Sequence, residues 1–237
     1  MIRRPILALD SSTAVGSVAV GGEEGVYAEV IQSVAGSHSA SLLPAVEQVM
    51  RSAGLRPRDL AAVVVGEGPG SFTGLRIAGA TAKGMLRGLD IPLYAYSGLL
   101  ATAASAWSHE GPVWALFDAR RRDVFAACYR FAQGVQVLMP PEAISLDLLL
   151  ERARGGDGAV PLFVGEGASL HREELERETG GRVGPAHLAQ PRAAALLWLA
   201  VTVPEMGRVE DPARWEPEYL RASGAERIAA ARAERGG

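Results

Sequence analysis

Asp10-Ser11-Ser12-Thr13, directly after the apolar run Ile6 to Leu9, is the first group in the chain that could do chemistry. A carboxylate can hold magnesium and neighbouring hydroxyls can reach phosphate oxygens, so Asp10, Ser12 and Thr13 could serve a nucleotide. The same residues also suit a strand-end aspartate that caps its own turn. The second such group is Gly66-Glu67-Gly68-Pro69-Gly70-Ser71-Phe72-Thr73-Gly74. Its glycines permit close backbone approach, and a turn feeding a helix can cradle a phosphate. The known phosphate loops do not fit. A P-loop needs lysine right after its last glycine, whereas the single lysine, Lys83, lies nine residues past Gly74. Gly68, Gly70 and Gly74 miss the dinucleotide spacing by one residue, and Pro69 and Thr73 stand where a nucleophile elbow around Ser71 needs glycine. On residue types alone a structural or interface turn is the better reading.

Phosphoryl transfer also needs a second clamp on the phosphates and a placed base. Asp118 is followed by Ala119-Arg120-Arg121-Arg122, without the glycine and hydroxyls that let a hairpin approach phosphate. Asp10, Ser12, Thr13, Gly68, Gly70 and Asp118 therefore read as a degenerate nucleotide cleft. No cofactor is firmly implied, and residual nucleotide or magnesium binding is the most the cleft allows. The arginines 120–122 read as a solvated hairpin tip. His38, His109, His171 and His187 show no pair at the spacing that puts two ligands on one helix face, so no metal site is expected. The lone Cys128 excludes an internal disulfide and suits a reducing compartment.

The elements that position these groups follow from the hydrophobic pattern. The chain has 237 residues, 48% of them hydrophobic and 22% charged, enough for two globular lobes of roughly 100 residues. A net charge of −3 gives no general grip on nucleic acid. The apolar run at residues 6–9 is too short for a signal peptide, and the longest apolar helix, 193–203, is about half a membrane span, so a soluble cytoplasmic protein is expected. Strands are expected at 5–10, 15–20 and 25–32, then an amphipathic helix through Leu42, Leu43, Val46, Val49 and Met50 that stops at Gly54. A strand at 60–66, a helix from Gly74 to about Leu89, a strand at 91–96 and a small-residue helix from Ser97 complete a βββαβαβα unit.

The pattern then restarts. Strands at 113–118, 124–131 and 135–139, a helix capped by Ser145, a strand at 162–164 and a helix at 169–178 repeat the order. Asp10 and Asp118 lie 108 residues apart, and Gly66-Glu67-Gly68 returns 99 residues later as Gly165-Glu166-Gly167. Two lobes of one topology are expected, 1–108 and 109–222, with a tail at 223–237. The helix at 192–204 is a candidate to pack back on the first lobe, as are residues 216–222.

A duplicated βββαβαβα unit with an aspartate closing each first strand is similar to the actin-like ATPase and acetate kinase/hexokinase fold, of RNase H-like type. The residues Ile6 to Thr13, His38-Ser39 with Leu42-Leu43-Pro44, Gly68 to Arg76 with Ala80 to Gly84, Asp118 to Arg121 and Pro217 to Arg221 resemble the bacterial TsaB (YeaZ) family. That resemblance implies a non-catalytic partner of TsaD, which forms N6-threonylcarbamoyladenosine beside the anticodon of tRNAs reading A-starting codons. TsaE joins the complex, and tRNA is touched only through it. A homodimer is expected where TsaD is absent, and no membrane contact. The resemblance implies pairing through the first two helices, with His38, Leu42, Leu43, Val46, Met50, Gly74, Ala78 and Ala82 as candidate contacts. Glycines inside the second helix suggest the close approach of another helix. Those apolar and small side chains are accordingly expected to be partly exposed in a lone protomer. The competing reading is an autonomous kinase or ATPase of the same fold; a peptidase would lack any metal pair or nucleophile constellation.

Overall fold

The structure is a computed structural model that describes residues 5–33, 38–155 and 158–220, with side chains in the first helix described from Ser41 onward. The tail at 223–237, Arg221 and the side chain of His38 lie outside the described residues.

Each lobe is built on a five-stranded mixed sheet. The first contains β1 (Ile6–Asp10), β2 (Val15–Gly22), β3 (Gly25–Ser33), β4 (Ala62–Gly66) and β5 (Leu93–Tyr96), in the order β3-β2-β1-β4-β5. The second contains β6 (Val113–Asp118), β7 (Asp123–Arg130), β8 (Gln136–Ser145), β9 (Leu162–Val164) and β10 (Arg182–Val183), in the order β10-β9-β6-β7-β8. The first three strands of each lobe run antiparallel and the rest parallel to the central strand. Asp10 and Asp118 close the two central strands, opposite Ser17 and Val124 of the next strand. The duplicated topology expected from the sequence is present.

The central strands are buried on both faces, and their alternating side chains serve different cores. Ile6 and Ala8 face a core shared between the lobes, whereas Leu7 and Leu9 face α1 (His38–Ser52) and α2 (Phe72–Leu86) on the outside. In β6, Val113, Ala115 and Phe117 join the shared core, while Trp114 and Leu116 pack toward α4 (Leu146–Arg154), α5 (Glu166–Leu170) and α6 (Arg172–Thr179).

Two helices fill the space between the sheets: α3 (Gly98–Ala104) and α7 (Ala193–Thr202). α7 comes late in the chain but is held at both ends by first-lobe residues. Ser17 Oγ accepts from the Ala193 amide at 2.9 Å, Glu29 accepts from the Ala194 amide at 3.2 Å, and Glu29 also pairs with Arg192. A carboxylate there suits the positive end of the helix dipole. At the other end the Tyr96 hydroxyl donates toward the Leu199 and Val203 carbonyls at 3.3 and 3.1 Å.

The structure differs from expectation at several elements. β8 runs on through Pro140-Pro141, which an edge strand tolerates where its ladder is irregular; the register shifts twice around Cys128. The helix expected at 169–178 is two short ones, α5 and α6, that meet at His171. β10 and a short helix, α8 (Pro204–Gly207), have no periodic signal of their own. Two of the three glycines of α2 do not await a foreign helix. A Cβ at Gly74 would overlap the Ser11 carbonyl, and one at Gly79 would lie 3.1 Å from the Trp215 ring. Both are covered by this chain. Gly84 alone has nothing within 4 Å.

The two kinds of helix glycine should respond in opposite directions. Gly84→Ala is expected to raise the unfolding free energy by about 0.5–1 kcal/mol, because alanine is the better helix former and the space is open. Gly74→Ala is expected to cost about 2 kcal/mol or more, since the obstacle is backbone. Urea unfolding of both variants checks this, and a stabilising Gly74→Ala would contradict the packing described.

Candidate functional site

The glycine turn and the end of β1 are one packed unit. The Ser71 amide donates to the Ser12 carbonyl at 2.6 Å, and Ser11 Oγ donates to the Gly74 carbonyl at 2.8 Å. A Cβ at Gly70 would overlap the Ser12 carbonyl, and one at Gly66 would overlap the Asp10 carboxylate. The turn thus rests directly on the residues that would otherwise receive a phosphate. Ser71 caps α2, its hydroxyl accepting from the Gly74 amide at 3.3 Å.

Asp10, Ser11, Ser12 and Thr13 are all buried. Asp10 Oδ1 accepts from the Ser12 amide and hydroxyl at 2.9 and 2.8 Å, and the Thr13 hydroxyl bonds to the backbone of Val15. The hydroxyls are engaged inside the turn. This donor set does not fit a magnesium–phosphate group, which needs them open to a cleft. The remaining oxygen, Asp10 Oδ2, has no hydrogen-bond partner and lies against Gly66. Burial pushes the Asp10 carboxyl up to about 6, against the opposing pull of the Ser12 bonds.

The space between the lobes is also occupied. The Gly98 amide, at the start of α3, donates to the Gly68 carbonyl at 2.7 Å. Gly98 sits against the Ser12 hydroxyl and the Phe117 ring, so α3 and β6 fill the place where the two aspartate-bearing turns converge.

On the second lobe Asp118 is exposed, and its Oδ1 accepts from the Arg120 amide at 2.7 Å. Arg120, Arg121 and Arg122 take φ of 66°, 57° and 64°. Hairpins usually give such positions to Asn-Gly, and each costs a larger residue about 1–2 kcal/mol. The turn persists because Arg122 forks onto Asp147 and Glu174 at 3.0 and 2.9 Å, while its carbonyl accepts from the Leu146 amide. Arg122 is a clip between the hairpin and two helices. Arg120 and Arg121 have no side-chain partner among the described residues, which matches a solvated tip.

After β4 and β9 the lobes place Glu67 and Glu166 alike. Burial raises both carboxyls; the Trp215 indole hydrogen-bonds Glu67, and Gln190 hydrogen-bonds Glu166. Trp215 belongs to a strap, residues 208–219, that returns from α8 across the first lobe. The Val209 amide donates to the Leu93 carbonyl, Lys83 Nζ to the Ala213 carbonyl at 3.0 Å, and the Glu218 amide to the Glu67 carbonyl at 2.9 Å. Arg76 stacks 4.0 Å over the Phe72 ring and donates to the Tyr219 hydroxyl, and Tyr219 packs on Phe72. Two motifs about 140 residues apart in sequence meet here. Residues 216–222 were expected to dock back, but nothing in the sequence named Phe72 and Arg76 as what they meet.

The expected helix face needs correction. Leu42, Val46, Met50, Ala78 and Ala82 are buried in this chain's own core, against the first sheet. The apolar period of an amphipathic helix marks its inward face, and that is what the spacing recorded. Of the candidates whose side chains are described, only Leu43 is exposed, at 51%. Gly74 is buried against Ser11. The outward face of the pair carries Leu43, Pro44, Glu47, Gln48 and Arg51 on α1, and Thr73, Arg76, Ala80 and Gly84 on α2. Ala80 was missed as a contact, and Gly84 was covered only by the general expectation for the glycines of this helix. Their signal was a run of small residues at positions where a solvated helix would carry Glu or Lys.

The geometry defines an actin-like ATPase fold in which the glycine turn packs onto the end of β1. The family model of TsaD, tRNA N6-adenosine threonylcarbamoyltransferase, matches residues 25–228. The tRNA threonylcarbamoyladenosine biosynthesis protein TsaB of Bacillus subtilis is 34% identical over 93% of this chain and 96% of its own length. YeaZ from Pseudomonas aeruginosa superposes with a TM-score of 0.78 at 29% identity, over 92% of this chain and all of that one. Component A of (R)-2-hydroxyglutaryl-CoA dehydratase from Acidaminococcus fermentans shares the fold alone, at 12% identity and a TM-score of 0.51 over 82% and 97% of the two chains. The chain belongs to the TsaB (YeaZ) family. Among the described residues no helix is long and apolar enough to cross a membrane.

The buried carboxyl gives a pH signature. Because folding raises the Asp10 pKa from 3.8 to about 6, the folded state holds that proton more tightly than the unfolded one. Its contribution is therefore full below about pH 4, declines as pH rises and is gone above about pH 6, a total on the order of 3 kcal/mol. Asp10→Asn should remove this slope, so that the variant gains on the parent between about pH 4 and pH 7 in urea unfolding. An unchanged slope would place the titration elsewhere.

Proposed function

We propose that this chain is the non-catalytic partner subunit of TsaD in forming N6-threonylcarbamoyladenosine next to the anticodon of tRNAs that read codons starting with A. One observation carries the reading. The Gly68–Gly74 turn is packed onto Ser11 and Ser12, which supports a lobe of ATPase architecture that does not use this turn for phosphate. Family membership supplies the biosynthetic context. TsaD performs the transfer, TsaE joins the assembly, and tRNA meets this chain through the complex, in the cytoplasm. The same helix face serves a homodimer when TsaD is absent.

The outward faces of α1 and α2 are the proposed docking surface, with Leu43, Ala80 and Gly84 replacing the buried positions as contacts. A stable interface of this kind buries on the order of 1,600 Å² and excludes charge from its centre. Leu43→Asp and Ala80→Arg are each expected to abolish co-elution with TsaD on a sizing column while changing Tm by no more than about 3 °C. Ala78→Arg, at a buried position, should unfold the protein instead. Normal co-elution of both folded surface variants would make this the wrong face.

The isolated chain is expected to hydrolyse ATP at far below ordinary enzyme rates of about 1 per second. Turnover at such a rate that disappeared in Asp10→Asn would favour the autonomous ATPase reading and overturn the partner-subunit one.

A further inference from the structure

A cavity of about 590 Å³ opens between the β2–β3 hairpin, the end of α3 and the outer side of α7. This is the size of a small-molecule site, and its lining is mostly apolar with a few polar groups, as such sites are. Two tryptophans form one wall. Trp107 and Trp198 stack with ring centroids 6.5 Å apart and planes 25° off parallel. The Phe131 ring meets Trp198 edge-on at 6.2 Å, which fixes it from a second side. Trp107 nonetheless remains 58% exposed, the most exposed aromatic residue among those described. An indole packed on one side and left in water on the other has a large apolar surface still to bury.

The charges around the cavity are unequal. Arg192 and Glu29 both line it but neutralise each other, and Glu29 also accepts from the Ala194 amide. Glu23, at the hairpin tip, has no ion-pair or hydrogen-bond partner among the described residues. The uncompensated charge is therefore negative and sits on the rim of an aromatic wall. Aromatic faces attract cations through their quadrupole, and a carboxylate beside them adds to the attraction.

The geometry points to a binding site for a flat aromatic molecule bearing a positively charged amino group, its ring against Trp107 and its ammonium toward Glu23. The site does not depend on the partner-subunit reading, since it lies on the α7 side of the first sheet and shares no residue with the proposed docking face.

Tryptamine and indole-3-acetate test this as a pair, because they share a ring and carry opposite charges. Saturation-transfer NMR on the full chain at about pH 8 should show saturable tryptamine binding of roughly millimolar affinity, with indole-3-acetate at least about tenfold weaker. Trp107→Ala, at an exposed position, should weaken tryptamine about tenfold, and Glu23→Gln should bring the two probes to similar affinity. Near-ultraviolet circular dichroism confirms that each variant is folded. Equal binding of the two probes to the parent, no saturable binding, or full tryptamine affinity in Trp107→Ala would each overturn the proposal.

Discussion

Gly66, Gly70 and Gly74 stand where any side chain would strike the turn at the end of β1, and the rest of the first lobe depends on that contact. With three bare positions, the loop after β4 can lie on residues 10–12 at backbone distance. The bonds between Ser71 and Ser12 and between Ser11 and Gly74 then replace the solvent that these groups would otherwise require. The turn fixes where α2 begins, because Ser71 is both its cap and a ladder partner of Ser12. It also fixes the start of α3, through the bond from Gly98 to Gly68.

The second constraint is the layer between the sheets. α3 and α7 are almost entirely apolar, and a helix apolar all round must be covered on all sides. Neither lobe can do so alone. The few polar groups reaching this layer, Ser17, Glu29 and Tyr96, are spent on the ends of α7, where a helix leaves amides and carbonyls unpaired. Orientation of the lobes is thus set by helix termini, and the apolar contacts between them supply area without direction.

Much of this was legible in the sequence. The apolar runs at residues 6–9 and 113–117 and the repeated aspartate pointed to the duplicated sheets, because a strand buried on both faces shows itself as an uninterrupted apolar run. The glycine motif was legible as a turn, and its poor match to phosphate loops was a sound reason to read it as structural. What one sequence lacked was direction. Periodicity in α1 and α2 identifies a face without saying whether sheet or partner covers it, and Leu42, Val46 and Ala78 went inward. The triple arginine turn was not readable because side-chain bonds to Asp147 and Glu174, 25 and 52 residues away, hold it. The strap was legible only in part: residues 216–222 were expected to dock back, but the contacts of Trp215 and Tyr219 with Gly79 and Phe72 span a range that no local pattern encodes.

The strap has a consequence for synthesis on the ribosome. When the first lobe has emerged, the inner face of its sheet still lacks α7, and Gly79 still lacks Trp215. Ile6 and Ala8 stay without their full cover until the chain has been made past residue 202, and Glu67 without its indole partner until residue 215. The first lobe therefore completes its inner packing later than an N-terminal unit that folds while the remainder is being translated. The nascent first lobe exposes one side of a sheet for most of its synthesis, until α7 and the strap have been made.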